Sequence, residues 1–176
     1  MNLIQHLKGR NLDLNLHYPI LDFETNTVTF YLYNLSSQLV GYQQYNFQGD
    51  KKIFNDKLSG KYYTYRNKNY QTIAVWGVES LYLNSRVIYL TEGIFDACRM
   101  TNLGQSAIAT LTNDPPSDYR NWLRMLNRPV VAVCDNDAAG RKLAKFGDYV
   151  EVVPEGKDLG DAPDDYVQYL LNKYAS

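Results

Sequence analysis

From about residue 86 to the end, the chain alternates two kinds of segment, and this constrains the fold more than any other feature. Four short apolar runs rich in β-branched residues (87–91, 107–111, 130–134 and 149–153) are each followed by a stretch of helical character. Those stretches cover approximately 95–103, 116–126, 138–146 and 164–173. Strands that alternate with helices of about ten residues pair in parallel, because each crossover returns the chain to the same end of the sheet. The pattern predicts an α/β fold, a parallel sheet flanked by helices. Asp114-Pro115-Pro116-Ser117 offers a capping side chain beside proline at a helix start, and Gly104 and Gly147 are placed to end helices.

The first half reads differently. Eleven of the sixteen tyrosines lie between Tyr18 and Tyr89. Short β-branched and aromatic runs at 27–33, 39–47, 62–65 and 73–76 are broken by Asn, Ser, Gly and Asp. That pattern predicts a small, mostly antiparallel sheet, with hairpin turns near 34–37 and 48–50. Half-buried packing is the expected role of most of these tyrosines, although exposed ones can stack bases. The chain thus divides into a β-rich basic amino-terminal lobe, 1–85, and a parallel-sheet domain, 86–176.

Charge follows the same division. Between Asp50 and Tyr70 six basic residues (Lys51, Lys52, Lys57, Lys61, Arg66, Lys68) face two acids. Between Asp135 and Asp165 nine acids face four bases. A basic lobe joined to an acidic one suits a polyanion-binding, metal-using protein, while the plainer reading makes each run a solvated face. On composition, Arg66 and Lys68 are candidate phosphate contacts. The longest apolar stretches run about five residues against about 20 for a membrane span, so no membrane partner is predicted. The start lacks the features of a secretory signal, and a cytoplasmic location is expected (host cytoplasm for a viral protein). Cys98 and Cys134 form no Cys-x-x-Cys pair, and His6 and His17 are the only histidines. That excludes a structural zinc site and leaves the cysteines as small core residues.

In an open parallel sheet, ligands bind beyond the carboxyl ends of the strands. Acids recur at those ends: Glu92-Gly93 after the first run, Asp135-Asn136-Asp137 after the third, and Glu155 to Asp161 after the fourth. Hard divalent cations such as Mg2+ take oxygen ligands, usually one or two carboxylates with phosphate and water. A pair of such ions can clamp the attacking and leaving oxygens of a phosphoryl displacement. Singly, each acidic turn is ordinary. In this order after apolar strands, they predict a metal site.

The residues Leu90-Thr91-Glu92-Gly93-Ile94-Phe95-Asp96-Ala97, then Val133 to Arg141, then Gly156-Lys157-Asp158 resemble the signature of TOPRIM domains. The likeness is nearest to the RNA-polymerase core of DnaG-type primases, bacterial and phage. Upstream, Leu39-Val40-Gly41-Tyr42, Gly60-Lys61-Tyr62 and Val75-Trp76-Gly77-Val78 resemble that core's amino-terminal part, so the resemblance spans approximately 30–169. Gln43-Gln44-Tyr45 stands where the family has Gly-Gly-Arg, and Gln71 lies near an expected lysine.

The resemblance implies Glu92 as a metal-site carboxylate and general base, Asp96 as a supporting or metal carboxylate, and Asp135, Asp137 and Asp158 as ligands of Mg2+ or Mn2+. It implies Lys61 and Arg141 as contacts to nucleotide or template phosphate. The expected activity is primer synthesis on single-stranded DNA from ribonucleoside triphosphates, in a phage-type replication module. A separate replicative helicase or zinc-domain protein is the expected partner. The alternatives are a TOPRIM nuclease and a non-catalytic TOPRIM module that binds single strands.

Overall fold

A computed structural model describes residues 2–34, 36–67 and 73–174. The chain forms two compact units that divide between Trp76 and Gly77. The first unit begins with helix α1 (Leu3–Gly9), closed by a capping box in which Asn2 Oδ1 accepts from Gln5 N and Gln5 Oε1 accepts from Asn2 N. A single-turn α2 (Leu14–His17) follows, its first turn capped by Asp13. Neither helix was expected from the sequence.

Four antiparallel strands complete the unit in the order β1-β2-β3-β4: β1 (Ile20–Asp22), β2 (Thr27–Tyr33), β3 (Leu39–Asn46) and β4 (Tyr62–Arg66). Alternation sorts their side chains by face. Val28, Phe30 and Leu32 of β2 are buried with Leu3, Leu7 and Leu12. The opposite face carries Thr29, Tyr31, Tyr42, Gln44, Tyr63 and Tyr65, aligned across three strands by the pairs Tyr31 with Tyr42 and Tyr42 with Tyr65.

The turn near 34–37 forms as expected, with Asn34 Oδ1 accepting from Gln38 N. The expected hairpin at 48–50 does not. Instead, residues 47–61 make a long loop closed by a bridge between Asp50 and Gly60. The run 73–76 forms isolated bridging, Val75 with Tyr33, rather than a strand.

The second unit is a parallel sheet in the order β6-β5-β7-β8: β5 (Ile88–Thr91), β6 (Ser106–Ala109), β7 (Val130–Cys134) and β8 (Tyr149–Val152). Every residue of β5, β6 and β7 is buried, the signature of strands covered on both faces. The helices are α3 (Ile94–Thr101), α4 (Asp118–Met125) and α5 (Asp164–Tyr174). The helix expected over 138–146 is a run of 3-10 turns, Gly140–Phe146. Ser117 makes no side-chain cap, and Asp114 pairs with Lys145 instead. Gly104 ends α3 with positive φ, as expected, but Gly147 does not. A Cβ there would lie 2.4 Å from Tyr149 O and 2.8 Å from Ala132 Cβ, so close approach to β7 is what requires glycine.

Cys98 and Cys134 are free and buried in this core, and burial raises both thiol pKa values, that of Cys134 to about 11. On edge strand β8, buried Glu151 accepts from Lys173 Nζ (2.7 Å) and Tyr174 OH (2.5 Å) of α5, which pins that helix to the sheet. The segment 77–85 joins the second unit by hydrogen bonds to β6, including Ser106 Oγ to Ser80 O at 2.7 Å. Arg128 consolidates the join. Its guanidinium donates to Leu81 O (2.8 Å), Ser85 O (3.0 Å) and Ser106 Oγ (3.0 Å). Arg128→Ala leaves these acceptors unserved and is expected to cost about 2 kcal/mol in chemical denaturation. Arg128→Lys should recover only part, because one ammonium cannot reproduce the fork.

Candidate functional site

The strand order fixes where a ligand can sit in the second unit. From β5 the chain steps to β6 on one side, then returns past β5 to β7 on the other. The order reverses between β5 and β7, and the crevice beyond their carboxyl ends is the binding position of doubly wound sheets. Glu92 follows β5, Asp135 follows β7, and Asp158 lies in the loop after β8. Three adjacent strands therefore deliver carboxylates to one edge. Glu92, Asp135 and Asp158 are half-buried, and Asp137 is exposed.

Each carboxylate is held by local chemistry. In the turn after β7, Asp137 Oδ1 accepts from Gly140 N, and Asn136 Oδ1 accepts from Arg141 Nη2 at 2.8 Å. A Cβ on Gly140 would fall 2.7 Å from Asp135 Cβ and 2.8 Å from Asp135 O, so the turn closes around Asp135 only with glycine. After β8, Asp158 Oδ1 accepts from Asp161 N at 2.8 Å, which gives Asp161 a backbone role beside that carboxylate.

Asp96 acts differently from its neighbours. It is buried in the first turn of α3, where Oδ2 accepts from Gly93 N (3.2 Å) and Oδ1 from Gly160 N (2.9 Å). Both oxygens face backbone, and the carboxylate ties the Glu92 turn to the Asp158 loop. Asp96→Ala is expected to cost about 2 kcal/mol in urea unfolding, because two donors lose a charged acceptor. Asp96→Asn, which keeps one acceptor oxygen, should lose less.

The electrostatics tie the edge together. Burial raises the pKa of Glu92, and Asp135 and Asp137 add to the rise. Burial likewise raises Asp135, reinforced by Asp158 and then Asp137. Like charges thus crowd the crevice, and a cation relieves them. The donor set is all oxygen, the kind a hard divalent ion takes. Among the described residues no three His, Cys, Asp or Glu side chains stand close enough to hold an ion by themselves. The carboxylates fit an ion that completes its shell from water and phosphate oxygens, as Mg2+ does.

The basic candidates lie in both units. Lys61 Nζ donates to Phe47 O at 3.0 Å and stands 5.2 Å from the centre of the Tyr45 ring. Burial lowers its pKa, with Lys51 and Arg10 adding like-charge repulsion. Arg66 is exposed at the end of β4, Arg141 is exposed after the β7 turn, and Lys68 and Gln71 lie outside the described residues. Sequence pattern assigned no site role to Arg10 or His6. His6 Nε2 lies 2.6 Å from Tyr45 OH, and its ring stacks on Phe47 at 4.2 Å. Both sit on the unforeseen helix α1 or at its end, in a stretch that shows no periodic apolar pattern long enough to read.

No protein-family profile matches the chain, and no curated protein does either. Solved structures do. The chain is similar to the DnaG catalytic core, with a TM-score of 0.68 at 15% identity, over 96% of this chain and 72% of that one. It is similar to a DnaG primase catalytic domain bound to single-stranded DNA, with a TM-score of 0.64 at 15% identity, over 96% and 60%. It also matches the zinc-binding and RNA polymerase domains of the Aquifex aeolicus primase, with a TM-score of 0.62 at 22% identity, over 84% and 40%. The fold is that of DnaG primase catalytic cores, a TOPRIM parallel sheet with an antiparallel sheet before it. The chain spans between 40% and 72% of the length of these three structures.

Proposed function

We propose that this chain is a primase core that joins ribonucleotides into short RNA primers on a single-stranded DNA template. One observation carries the reading: Glu92, Asp135 and Asp158 follow three adjacent parallel strands at the point where the strand order reverses. The fold shared with DnaG catalytic cores supports it, and one of those neighbours is a catalytic domain bound to single-stranded DNA.

Asp135, Asp137 and Asp158 would hold Mg2+ or Mn2+, with Glu92 completing the set. When bound, such an ion supplies charge neutralisation for the triphosphate and polarises its phosphorus. Glu92 is the candidate base for the 3′-hydroxyl proton, since a carboxylate whose pKa is raised by burial accepts a proton more readily. Lys61, Arg66, Lys68 and Arg141 would meet template or triphosphate phosphates. Asp96 would act through its hold on the two loops. The proposed setting is a phage-type replication module in the cytoplasm, working with a separate helicase or zinc-domain protein. No helix among the described residues is long and apolar enough to cross a membrane.

The test is direct. The pure chain is incubated with single-stranded DNA, labelled ribonucleotides and Mn2+, and short RNA products are expected. Shortening of labelled DNA or RNA without synthesis would make it a nuclease with water as nucleophile. Strand binding with neither activity would make it a non-catalytic module.

A further inference from the structure

One face of the sheet in the first unit carries a row of tyrosines that the core leaves partly open. Val28, Phe30 and Leu32 on the other face build the core, whereas Tyr31 and Tyr65 are 40% and 46% exposed. Tyr42 and Tyr63 are half-buried between them. The Tyr42 ring stacks on Tyr65 with centroids 5.5 Å apart and lies 6.1 Å from Tyr63. Thr29 and Gln44, the other members of these central rows, are uncharged.

The loop 47–61 borders the β4 edge of this sheet. It is a self-closed structure: Asp50 N donates to Ser59 O and Lys61 N to Asp50 O, both at 2.9 Å. Its acids, Asp50 and Asp56, are exposed and cap the loop's own turns, with Asp50 Oδ1 accepting from Lys52 N and Asp56 Oδ1 from Leu58 N and Ser59 N. Its lysines, Lys51, Lys52 and Lys57, are exposed. Asn55 Oδ1 accepts from Thr64 N at 2.7 Å, which lays the loop along the free edge of β4 between Tyr63 and Tyr65. The neighbouring Phe54 is 96% exposed, and Leu58 is 85% exposed. An ordered loop that holds a phenylalanine wholly in water beside three lysines has no packing reason to do so.

We propose that Phe54 and the tyrosines Tyr65, Tyr42 and Tyr31 form a stacking track for the bases of single-stranded nucleic acid, with Lys51, Lys52 and Lys57 beside it for phosphates. Charge complementarity selects this occupant. Residues 1–76 carry eight Lys and Arg against five Asp and Glu, a net +3, and two of those five acids serve the loop's own backbone. Unpaired bases offer π-faces to neutral aromatic rings while their phosphates meet lysines, whereas a duplex hides its bases within the stack. The inference deepens the primase reading by giving its single strand a surface distinct from the carboxylate edge.

Binding of the whole chain to a labelled oligothymidylate is measured by anisotropy in EDTA without nucleotides, beside an abasic oligonucleotide of equal length and phosphatidylserine vesicles. Tight binding to oligothymidylate is expected, with weak binding to the abasic strand. Phe54→Ala and Tyr65→Ala should each weaken oligothymidylate binding about tenfold, while Tyr65→Phe keeps it. The salt slope should stay unchanged in Phe54→Ala and fall by about 0.7 for each of Lys51→Ala and Lys57→Ala. Phe54 is outside the core, so its variant folds, which a melt will verify. Equal affinity for abasic and thymidylate strands, or wild-type affinity in Phe54→Ala, overturns the proposal. So does vesicle binding that depends on Phe54 without any preference for bases. Because no chemistry is needed, a failed primer assay leaves this result standing, and loss of the track leaves the carboxylate reading standing.

Discussion

Asp135→Asn is expected to lower nucleotidyl transfer by about 100-fold or more while single-strand affinity stays within about twofold. The substitution keeps the shape of a side chain around which Gly140 closes, where an extra carbon would come within 2.7 Å. It removes only the charge. That charge is one of those that raise the pKa of Glu92, so the variant also weakens the electrostatic pull on a cation at the edge. Glu155→Gln is the control, since Glu155 is exposed in the acidic stretch after β8 and should retain full activity. Primer synthesis and anisotropy are measured on all three proteins at one salt concentration. Activity in Asp135→Asn equal to that of the control would remove Asp135 from the machinery, and with it the centre of the proposed site.

The parallel sheet was readable because its signal is strong in every segment. Continuous apolar runs such as Val130–Cys134 belong to strands covered on both faces, and all five residues are buried. Three of the four helices following the strands also formed near the expected positions. The exception over 140–146 is informative. Gly140 is committed to the tight turn around Asp135, and the segment that follows winds as 3-10 turns. Local propensity recorded a helix, and the demands of the turn overrode it. Helix α1 escaped for the opposite reason, because two buried leucines in seven residues are too short a pattern to read.

The acidic residues were legible singly, since each follows an apolar run. Their division of labour was not. Glu92 and Asp96 stand four residues apart and look alike in sequence, yet Asp96 spends both oxygens on Gly93 N and Gly160 N. The second of those partners is 64 residues away, a separation that no local pattern encodes. Arg128 is similar. It reads as an ordinary basic residue before a proline, and only the fold brings Leu81, Ser85 and Ser106 to its guanidinium. The tyrosine face escaped for a third reason. Alternation showed that the strands have two faces, but not which one the core would take.

Mn2+ should raise the melting temperature of the wild-type chain, and Asp137→Asn should lose most of that rise. A ligand bound only by the folded state stabilises by RT ln(1 + [L]/Kd), about 2.7 kcal/mol at a hundredfold excess over Kd. Without metal the sign reverses. Asp137 adds repulsion to two carboxylates whose pKa values are already raised by burial, so removing its charge should leave the EDTA melt equal to or above that of wild type. The pH dependence follows from the same directions. A raised pKa means that folded Glu92 and Asp135 bind protons more tightly than the unfolded chain does. Their contribution is therefore fully present below the ordinary carboxylate pKa and is lost as pH rises through the raised values. In EDTA the stability lost across that window should be smaller in Asp137→Asn than in wild type, because one cause of the rise is gone. Melts at several pH values, with EDTA and with millimolar Mn2+, test all three statements. A decorative acidic turn predicts none of them, since exposed substitutions usually stay within about 0.5 kcal/mol. Equal Mn2+ shifts in the two proteins would mean that Asp137 holds no ion, whatever the activity of Asp135→Asn had shown.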